Sequence, residues 1–376
     1  MATKPRARRK PAETNGNPSA KLIEALQFIS MAQAKNGPVQ SQFCMLMGKW
    51  AVASNGFLTI GAKIEEDLEV CPHTFQLIEA LKLAVDGDQV IAHESPAVLS
   101  VRAGAFAGLV ACVNRADLPI PSAPDNQCAL VDSRLTDALD AVQFLAMDES
   151  PDAFKASILL RAGSAVATDG SMMLEYWHGI DLPPGLMVPR KAAQAIVKCK
   201  KAPVGFGFSS ASMTIWFEDD SFIKTQLYSG NYPDTDRIFP ENVNAWPLPE
   251  GFFKAVHVIA NFSEDGKVVF NNGKVASAME ESVASTFKIE GLVEEMAFNA
   301  KYLIDAQLYM KTAHFDTEKG RVIFFGDNCR GIIMGLNNFE RKREAEQQAA
   351  ARAANPKQVI RPGTTGFDDL DDDIPF

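Results

Sequence analysis

Long apolar runs are missing from the sequence. No stretch of about 18 hydrophobic residues occurs anywhere in its 376 residues, so no membrane-spanning helix is expected. A secretory leader is missing too. The N-terminus is basic (Lys4, Arg6, Arg8, Arg9, Lys10), but no apolar segment follows it. Paired cysteines are lacking: Cys44, Cys71, Cys112, Cys128, Cys199 and Cys329 are scattered and none lies in a Cys-x-x-Cys. That spacing predicts buried free thiols in a reducing cytoplasm rather than disulfides or a zinc site. Histidine is scarce, and His73, His93, His178, His257 and His314 fall in no His-Glu-x-x-His or triad-like context. The run Gly205 to Ser210 (GFGFSS) is only a partial GxGxxG, in a strand-like stretch with no helix after it, so a dinucleotide site is not expected. The terminal aspartates lack metal-site spacing. These absences predict a protein that is not an enzyme and uses no cofactor or metal.

Net positive charge is the absence with the widest consequence. The chain carries 37 Lys and Arg against 47 Asp and Glu, a formal charge of −10. Phosphate contacts need Lys and Arg, so the total argues against nucleic acid. The distribution argues otherwise. The first ten residues hold five bases and no acid, and the last ten hold five aspartates and no base. The body between them has to be read separately.

What the sequence does contain is a repeat. Residues 1–20 are basic, poor in apolar anchors and expected to be disordered. Residues 21–337 alternate helical and strand patterns. From 338 an Ala/Gln/Arg/Glu-rich stretch (Arg341 to Ala354) reads as a frayed helix. Pro356, Pro362, Gly363 and Gly366 mark a linker over 338–366, and 367–376 form an acidic tip. Inside the body LIEAL occurs at Leu22 and again at Leu77, LTDAL at Leu135 and LIDAQL at Leu303. In the first three copies apolar residues recur at i, i+3, i+4 and i+7: Leu22, Ala25, Leu26, Ile29; Leu77, Ala80, Leu81, Ala84; Leu135, Ala138, Leu139, Val142. Each is one face of a short amphipathic helix. In the fourth, Gln307 breaks the stripe and shifts it to Ile304 and Leu308. A second motif repeats in register: AVASNG (from Ala51) and AVATDG (from Ala165) lie 114 residues apart, while the Leu22 and Leu135 helices lie 113 apart. VFNNGK, from Val269, is a weaker third copy. Asn-Gly and Asp-Gly supply the positive φ of hairpin turns. Strand patterns run over Ser157 to Leu160, Met213 to Phe217 and Phe222 to Tyr228. The unit is a helix, antiparallel strands, a second helix and more strands, repeated over about 21–124, 125–241 and 242–337, which predicts an α+β class.

The middle segment carries a resemblance. VATDGSMML is followed by LMVPRKAAQAIV, a strand pair and YSGNYPDTDRIFP. Val188, Pro189, Arg190 and Lys191, and then Gly230, Tyr232, Pro233, Asp234, Arg237, Ile238 and Pro240, agree in order and spacing with the β subunit of bacterial DNA polymerase III, the DNA sliding clamp. FNAKYLIDAQL, from Phe298, is similar to a helix of that family's third domain. The resemblance covers about 21–337 and is most specific in the middle. Departures are Ser171 and Met172 where the family has His and Arg, a shortened third domain, and about forty residues beyond the family's last strand, which here is IIMGL (Ile332 to Leu336). A divergent clamp from a virus, acting in the cytoplasm of a bacterial cell, fits these departures.

The resemblance implies a DNA clamp fold of three repeated domains, each of antiparallel sheets with two inner helices, closing as a homodimer ring on double-stranded DNA without reading its sequence. It makes Lys21, Lys82, Arg134, Arg190, Lys191, Lys198, Lys200, Lys201, Lys254, Lys301 and Lys311 the candidate DNA-contacting bases. The same lysines also fit a solvated helix face. It further implies a hydrophobic pocket between the second and third domains for peptides of DNA polymerase and the clamp loader. Its candidates are Thr168, Gly170, Met172, Met173, Pro233, Arg237, Ile238, Asn299, Tyr302, Ile332, Ile333 and Met334. The alternative is that these are ordinary core and turn residues.

The last six residues, Asp371, Asp372, Asp373, Ile374, Pro375 and Phe376, resemble the tip of bacterial single-stranded DNA-binding proteins. A terminal aromatic with its carboxylate fits a pocket with a basic lip, and the aspartates steer it there. The tip implies partners that recognise the tails of single-stranded DNA-binding proteins; folding back onto the basic channel is the other reading. The rival for the whole chain is a single-stranded DNA-binding or replisome adaptor protein, favoured by the tip and disfavoured by a body unlike an OB fold.

Overall fold

The first three helical stripes are buried along their whole length. In a computed structural model, which describes residues 19–84, 89–240, 242–278, 283–292 and 295–336, α1 (Ala20–Ile29) buries Leu22, Ala25, Leu26 and Ile29. After β1 (Met45–Ser54) and β2 (Leu58–Val70), α2 (Thr74–Leu83) does the same with Leu77, Ala80 and Leu81, and Ala84 just beyond it is buried too. Strands β3 (Val90–Ser95), β4 (Val98–Ala103), β5 (Phe106–Ala111) and β6 (Gln127–Leu130) then lead to α3 (Ser133–Val142), which buries Leu135, Ala138, Leu139 and Val142. Each buried Leu contributes about 1.5–3 kcal/mol of transfer free energy, so these stripes fix which helix face turns inward.

The motif recurs further along. β7 (Ser157–Leu160), β8 (Ser164–Thr168), β9 (Met172–Trp177) and β10 (Leu186–Pro189) precede α4 (Arg190–Lys198), then β11 (Pro203–Phe208), β12 (Ser212–Phe217), β13 (Phe222–Gln226) and the one-turn α5 (Thr235–Ile238). β14 (Trp246–Pro247) precedes α6 (Phe252–Ala260), β15 (Lys267–Asn271), β16 (Lys274–Ala276), β17 (Thr286–Lys288) and β18 (Met296–Asn299). The chain continues through α7 (Ala300–Asp305), β19 (Thr312–Asp316), β20 (Arg321–Phe325) and β21 (Cys329–Met334). The pairs β1 with β2, β12 with β13, β15 with β18 and β8 with β9 are antiparallel, in keeping with an α+β class.

The described residues form two compact units. The first takes those of Met1–Pro247 with Leu308–His314 and Ile323–Ile332; the second takes those of Leu248–Gln307, Phe315–Val322 and Ile333–Phe376. In the first unit a six-stranded sheet runs β1-β2-β13-β12-β11-β6, so the strand pair following α1 is hydrogen-bonded to the strands following α4. A three-stranded sheet β3-β4-β5 stands beside α2. The order β10-β7-β8-β9-β21-β20-β19-β14 brings in the stretches of β19 to β21 that belong to this unit. Asp125, in the connection before β6, accepts from Ser212 Oγ (2.9 Å), Thr214 Oγ1 (2.9 Å) and Lys224 Nζ (3.0 Å), which straps that connection onto β12 and β13. The second unit holds the sheet β17-β16-β15-β18 and a cluster of Phe252, Phe270, Phe298 and Phe315.

The internal repeat holds atom by atom. Asn55 Oδ1 accepts the N–H groups of Phe57 (3.0 Å) and Leu58 (2.8 Å), and Asp169 Oδ1 accepts those of Ser171 (2.8 Å) and Met172 (2.9 Å). Ser54 Oγ caps Gly56 N–H as Thr168 Oγ1 caps Gly170 N–H. The positive φ falls on glycine alone in both turns, 90° at Gly56 and 94° at Gly170, while Asn55 and Asp169 act through their side chains. In the third copy Asn272 and Gly273 both adopt positive φ, giving a two-residue hairpin between Asn271 and Lys274.

Two expectations need correction. The fourth helical stripe does not shift to Ile304 and Leu308. α7 stops at Asp305, so Leu308 lies past the helix and is 84% exposed, and the buried positions are Ala300, Leu303 and Ala306. The cysteines are free but not uniformly buried: Cys128 is exposed and Cys199 half-buried, because Cys128 sits on β6, the edge strand of its sheet. The basic N-terminal residues, the Arg341 to Ala354 stretch, the linker and the acidic tip lie outside the described residues.

Candidate nucleic-acid interface

α4 presents the most basic helix face of the described chain. Its small apolar side (Ala192, Ala193, Ala195, Ile196) is buried, and that leaves Lys191 and Lys198 exposed, with Gln194 half-exposed between them. The spacing of three and four residues lines these up as one stripe. Pro189 fixes the start of the helix at φ −58°, and no side chain caps its amides. Lys200 follows at a left-handed φ of 54° and is exposed. Lys201 turns inward, bonding Asp219 at 2.5 Å and Ser221 at 3.1 Å, its ammonium 4.2 Å from the centre of the Phe28 ring.

Most of the other predicted bases already hold a carboxylate. In the first unit Lys21 pairs with Glu65 at 2.6 Å and Lys82 with Glu79 at 3.0 Å. Arg134 pairs with its own helix cap Asp132 at 2.8 Å, and Lys311 with Asp327 at 2.5 Å. Arg190 faces Asp148 at 3.5 Å and Lys191 faces Glu149 at 3.7 Å. In the second unit Lys301 pairs with Asp305 at 2.7 Å. The pairing holds the Lys21 and Arg134 side chains above their usual pKa range and the Glu65 and Asp132 carboxyls below theirs, through the hydrogen bonds between them. Of the eleven bases, Lys198, Lys200 and Lys254 have no acid within 4.0 Å among the described residues.

Of the residues predicted for a peptide pocket, some belong to the first unit and some to the second. In the first, Thr168, Met172, Met173 and Ile332 are buried, and Thr168 pairs with Met173 across β8 and β9. Thr168 Oγ1 donates to Met172 O at 2.7 Å, and Lys155 Cε lies 3.3 Å from where a Cβ on Gly170 would stand. The Gly230 to Pro240 segment is tied to this turn by Tyr232, whose phenol donates to Val166 O and whose burial raises its pKa above the usual phenol range. Arg237 points away, 88% exposed and paired with Asp234 at 3.0 Å. Pro233 and Ile238 lie on the same segment. Asn299 caps α7 by accepting from Lys301 N–H at 2.9 Å, and Tyr302 lies on that helix; both belong to the second unit, as do Ile333 and Met334.

Sequence reasoning missed the group that fastens the Gly230 to Pro240 segment to β9. Glu175 on β9 is 2% exposed and accepts from Arg161 Nη1 (3.1 Å), Ser164 Oγ (2.7 Å) and Arg330 Nε (2.7 Å). Arg161 also forks onto Asp236 (2.7 and 3.0 Å) and bonds Thr235 Oγ1 (2.9 Å), while Arg330 stacks 4.1 Å over Phe239. The resemblance drew attention to Asp234 and Arg237; their neighbours Thr235 and Asp236 do the anchoring. A glutamate amid the apolar residues of β9 was the available signal. Among the described residues no group of three or more His, Cys, Asp or Glu has a geometry that could hold a metal ion.

No protein-family model matches the chain, and no curated protein matches it significantly. Solved structures do. The DNA polymerase sliding clamp of Pseudomonas aeruginosa superposes with a TM-score of 0.70 at 17% identity, over 84% of this chain and 97% of that one. The sliding clamp of Bacillus subtilis gives 0.70 at 14% identity with the same coverages. A Helicobacter pylori β clamp bound to a DNA ligase peptide gives 0.68 at 15%, again over 84% and 97%. At such identities the likeness is one of fold: the chain has the DNA clamp fold.

Proposed function

We propose that this protein is a sliding-clamp-like processivity factor of DNA replication. In this reading 21–124, 125–241 and 242–337 are three clamp modules, two copies of the chain close a ring around duplex DNA, and the ring tethers DNA polymerase and other replication proteins without catalysing a reaction. The observation that carries the reading is the clamp fold across nearly the full length of known clamps. The exposed lysine stripe of α4 supports it, since sequence-independent phosphate contacts are what a sliding ring needs. The turn from Thr168 to Met173 and the segment fastened to it supply an apolar seat for short peptides of a polymerase or clamp loader. Met172, where the family has a charged residue, is buried beneath that turn and gives it an adaptable apolar support.

The acidic tip adds a second recruitment element for proteins that bind the tails of single-stranded DNA-binding proteins. A linker would keep such partners at high local concentration. A bacterial cytoplasm with a phage source fits this combination.

Loading onto nicked circular DNA by a clamp loader, followed by linearisation, tests the main reading. A topological clamp is retained on the circle and lost on cutting, and native mass gives a dimer. A protein that ignores the nicked duplex but binds single strands would replace this reading with the single-strand-binding one, which the terminal Asp371 to Phe376 favours. A protein that never loads and binds only partners would be an adaptor. Deleting the last six residues should abolish capture of proteins that recognise those tails; unchanged capture would refute that role.

A further inference from the structure

Resting on the duplex-binding reading, we propose that Asp148 and Glu149 stand in for DNA phosphates at the start of α4, so that this clamp holds DNA weakly by design. Both acids lie in the stretch after α3. Their side chains are 63% and 90% exposed, yet each faces one of the first two bases of the helix, Arg190 at 3.5 Å and Lys191 at 3.7 Å. The buried Ala192, Ala193 and Ala195 hold the helix face in register, so these bases and Lys198 share one side. The neighbouring helix α3 presents Asp137 and Asp140 on its own exposed side. Acid therefore answers base on the surface where a tight DNA binder would carry base alone.

The physical consequence concerns counterions. A free lysine meeting a phosphate releases a condensed cation and gains affinity that falls with salt, with a slope near −0.9 per phosphate. A lysine already holding a carboxylate must exchange one anion for another, and the released carboxylate then repels the duplex. Of the eleven candidate bases, and among the described residues, Lys198, Lys200 and Lys254 can contribute without such an exchange. A weakly held duplex suits a ring whose retention is topological and whose task is to slide.

The test uses the full-length protein and a short fluorescein-labelled duplex of mixed sequence, with anisotropy titrations across a salt series. Wild type is compared with Asp148→Asn/Glu149→Gln, with Lys198→Ala/Lys200→Ala, and with a charge-matched control, Asp117→Asn/Glu250→Gln, whose exposed acids face no base within 4.0 Å among the described residues. The first variant should steepen the salt slope by about 1.8, two further phosphates, and on a fourfold drop in salt gain about tenfold more affinity than wild type does. The lysine variant should weaken binding and flatten the slope, and the control should behave as wild type. If the control gains as much as the first variant, bulk charge explains the effect and the surrogate role is wrong. If the first variant matches wild type while the lysine variant still loses affinity, the surrogate role is wrong and duplex binding stands. If no variant binds duplex, the surrogate role is wrong, and loading onto nicked circles decides the clamp reading separately.

Discussion

Replacing Glu175 by Gln should unfasten the segment that closes the middle of the chain. Glu175 is 2% exposed and is the shared acceptor of Arg161 and Arg330, whose side chains are 26% and 24% exposed. Glutamine keeps the volume and one acceptor oxygen for Ser164, but it leaves three charges where there were four: two guanidiniums against Asp236 alone. Removing one member of a buried ion pair costs about 3–5 kcal/mol. The arginines are a quarter open to water, so part of that is recovered, and about 2–4 kcal/mol is the expected loss. With an unfolding entropy of about 2.1 cal/mol/K per residue, a chain of 376 residues shifts by roughly 1.3 °C per kcal/mol, so the melting midpoint should fall by roughly 3–5 °C. Circular dichroism melts and urea titration read the loss, and limited proteolysis should show cutting between Gly230 and Pro240. The double variant Glu175→Gln/Arg330→Met, which leaves Arg161 matched to Asp236, should be more stable than Glu175→Gln alone. A single-variant loss below about 1 kcal/mol, the range of an exposed pair, would show that the cluster is solvated and that something else holds the segment.

Three further outcomes follow from the same geometry. Gly56→Ala and Gly170→Ala impose nearly the same strain, since φ is 90° and 94°, and each should lose about 1–2 kcal/mol in a melt. Any excess at Gly170 measures the contact with Lys155, which has no counterpart at Gly56. Burial alone would raise the carboxyl of Asp316, but the Lys319 amide and the Arg321 guanidinium outweigh it and hold its pKa below the ordinary 3.8. A depressed folded pKa contributes stability above the unfolded value that is lost as pH falls through the folded one. Asp316→Asn should therefore be less stable than wild type at neutral pH, and the gap should close below pH 3.8 in melts run across pH. Burial pushes the Cys44 thiol up to about 12 and those of Cys112 and Cys329 up to about 11, so iodoacetamide at neutral pH should label exposed Cys128 first and leave those three until the protein unfolds, as peptide mass mapping will read.

What was legible in the sequence was whatever a local pattern could encode. The i, i+3, i+4, i+7 stripes in α1, α2 and α3 predicted the buried faces residue by residue, because a helix in contact with a sheet has no other way to hide its leucines. The two turns after Ser54 and Thr168 were legible because a left-handed backbone and a side-chain acceptor both restrict residue choice. The fourth stripe misled because periodicity does not say where a helix stops, and α7 ends one turn before Leu308. The base list was legible only in part. Lys301 with Asp305 and Lys82 with Glu79 are local pairs that spacing foretells, but Lys21 with Glu65 and Lys201 with Asp219 are brought together by the fold. The Glu175 cluster was illegible for the same reason, since its charges come from positions 161, 175, 236 and 330. Charge counted along a chain therefore overstates the charge a partner meets. A helix that reads as basic offers DNA only those cations the fold has not already answered, which on α4 and the residue pair after it are Lys198 and Lys200.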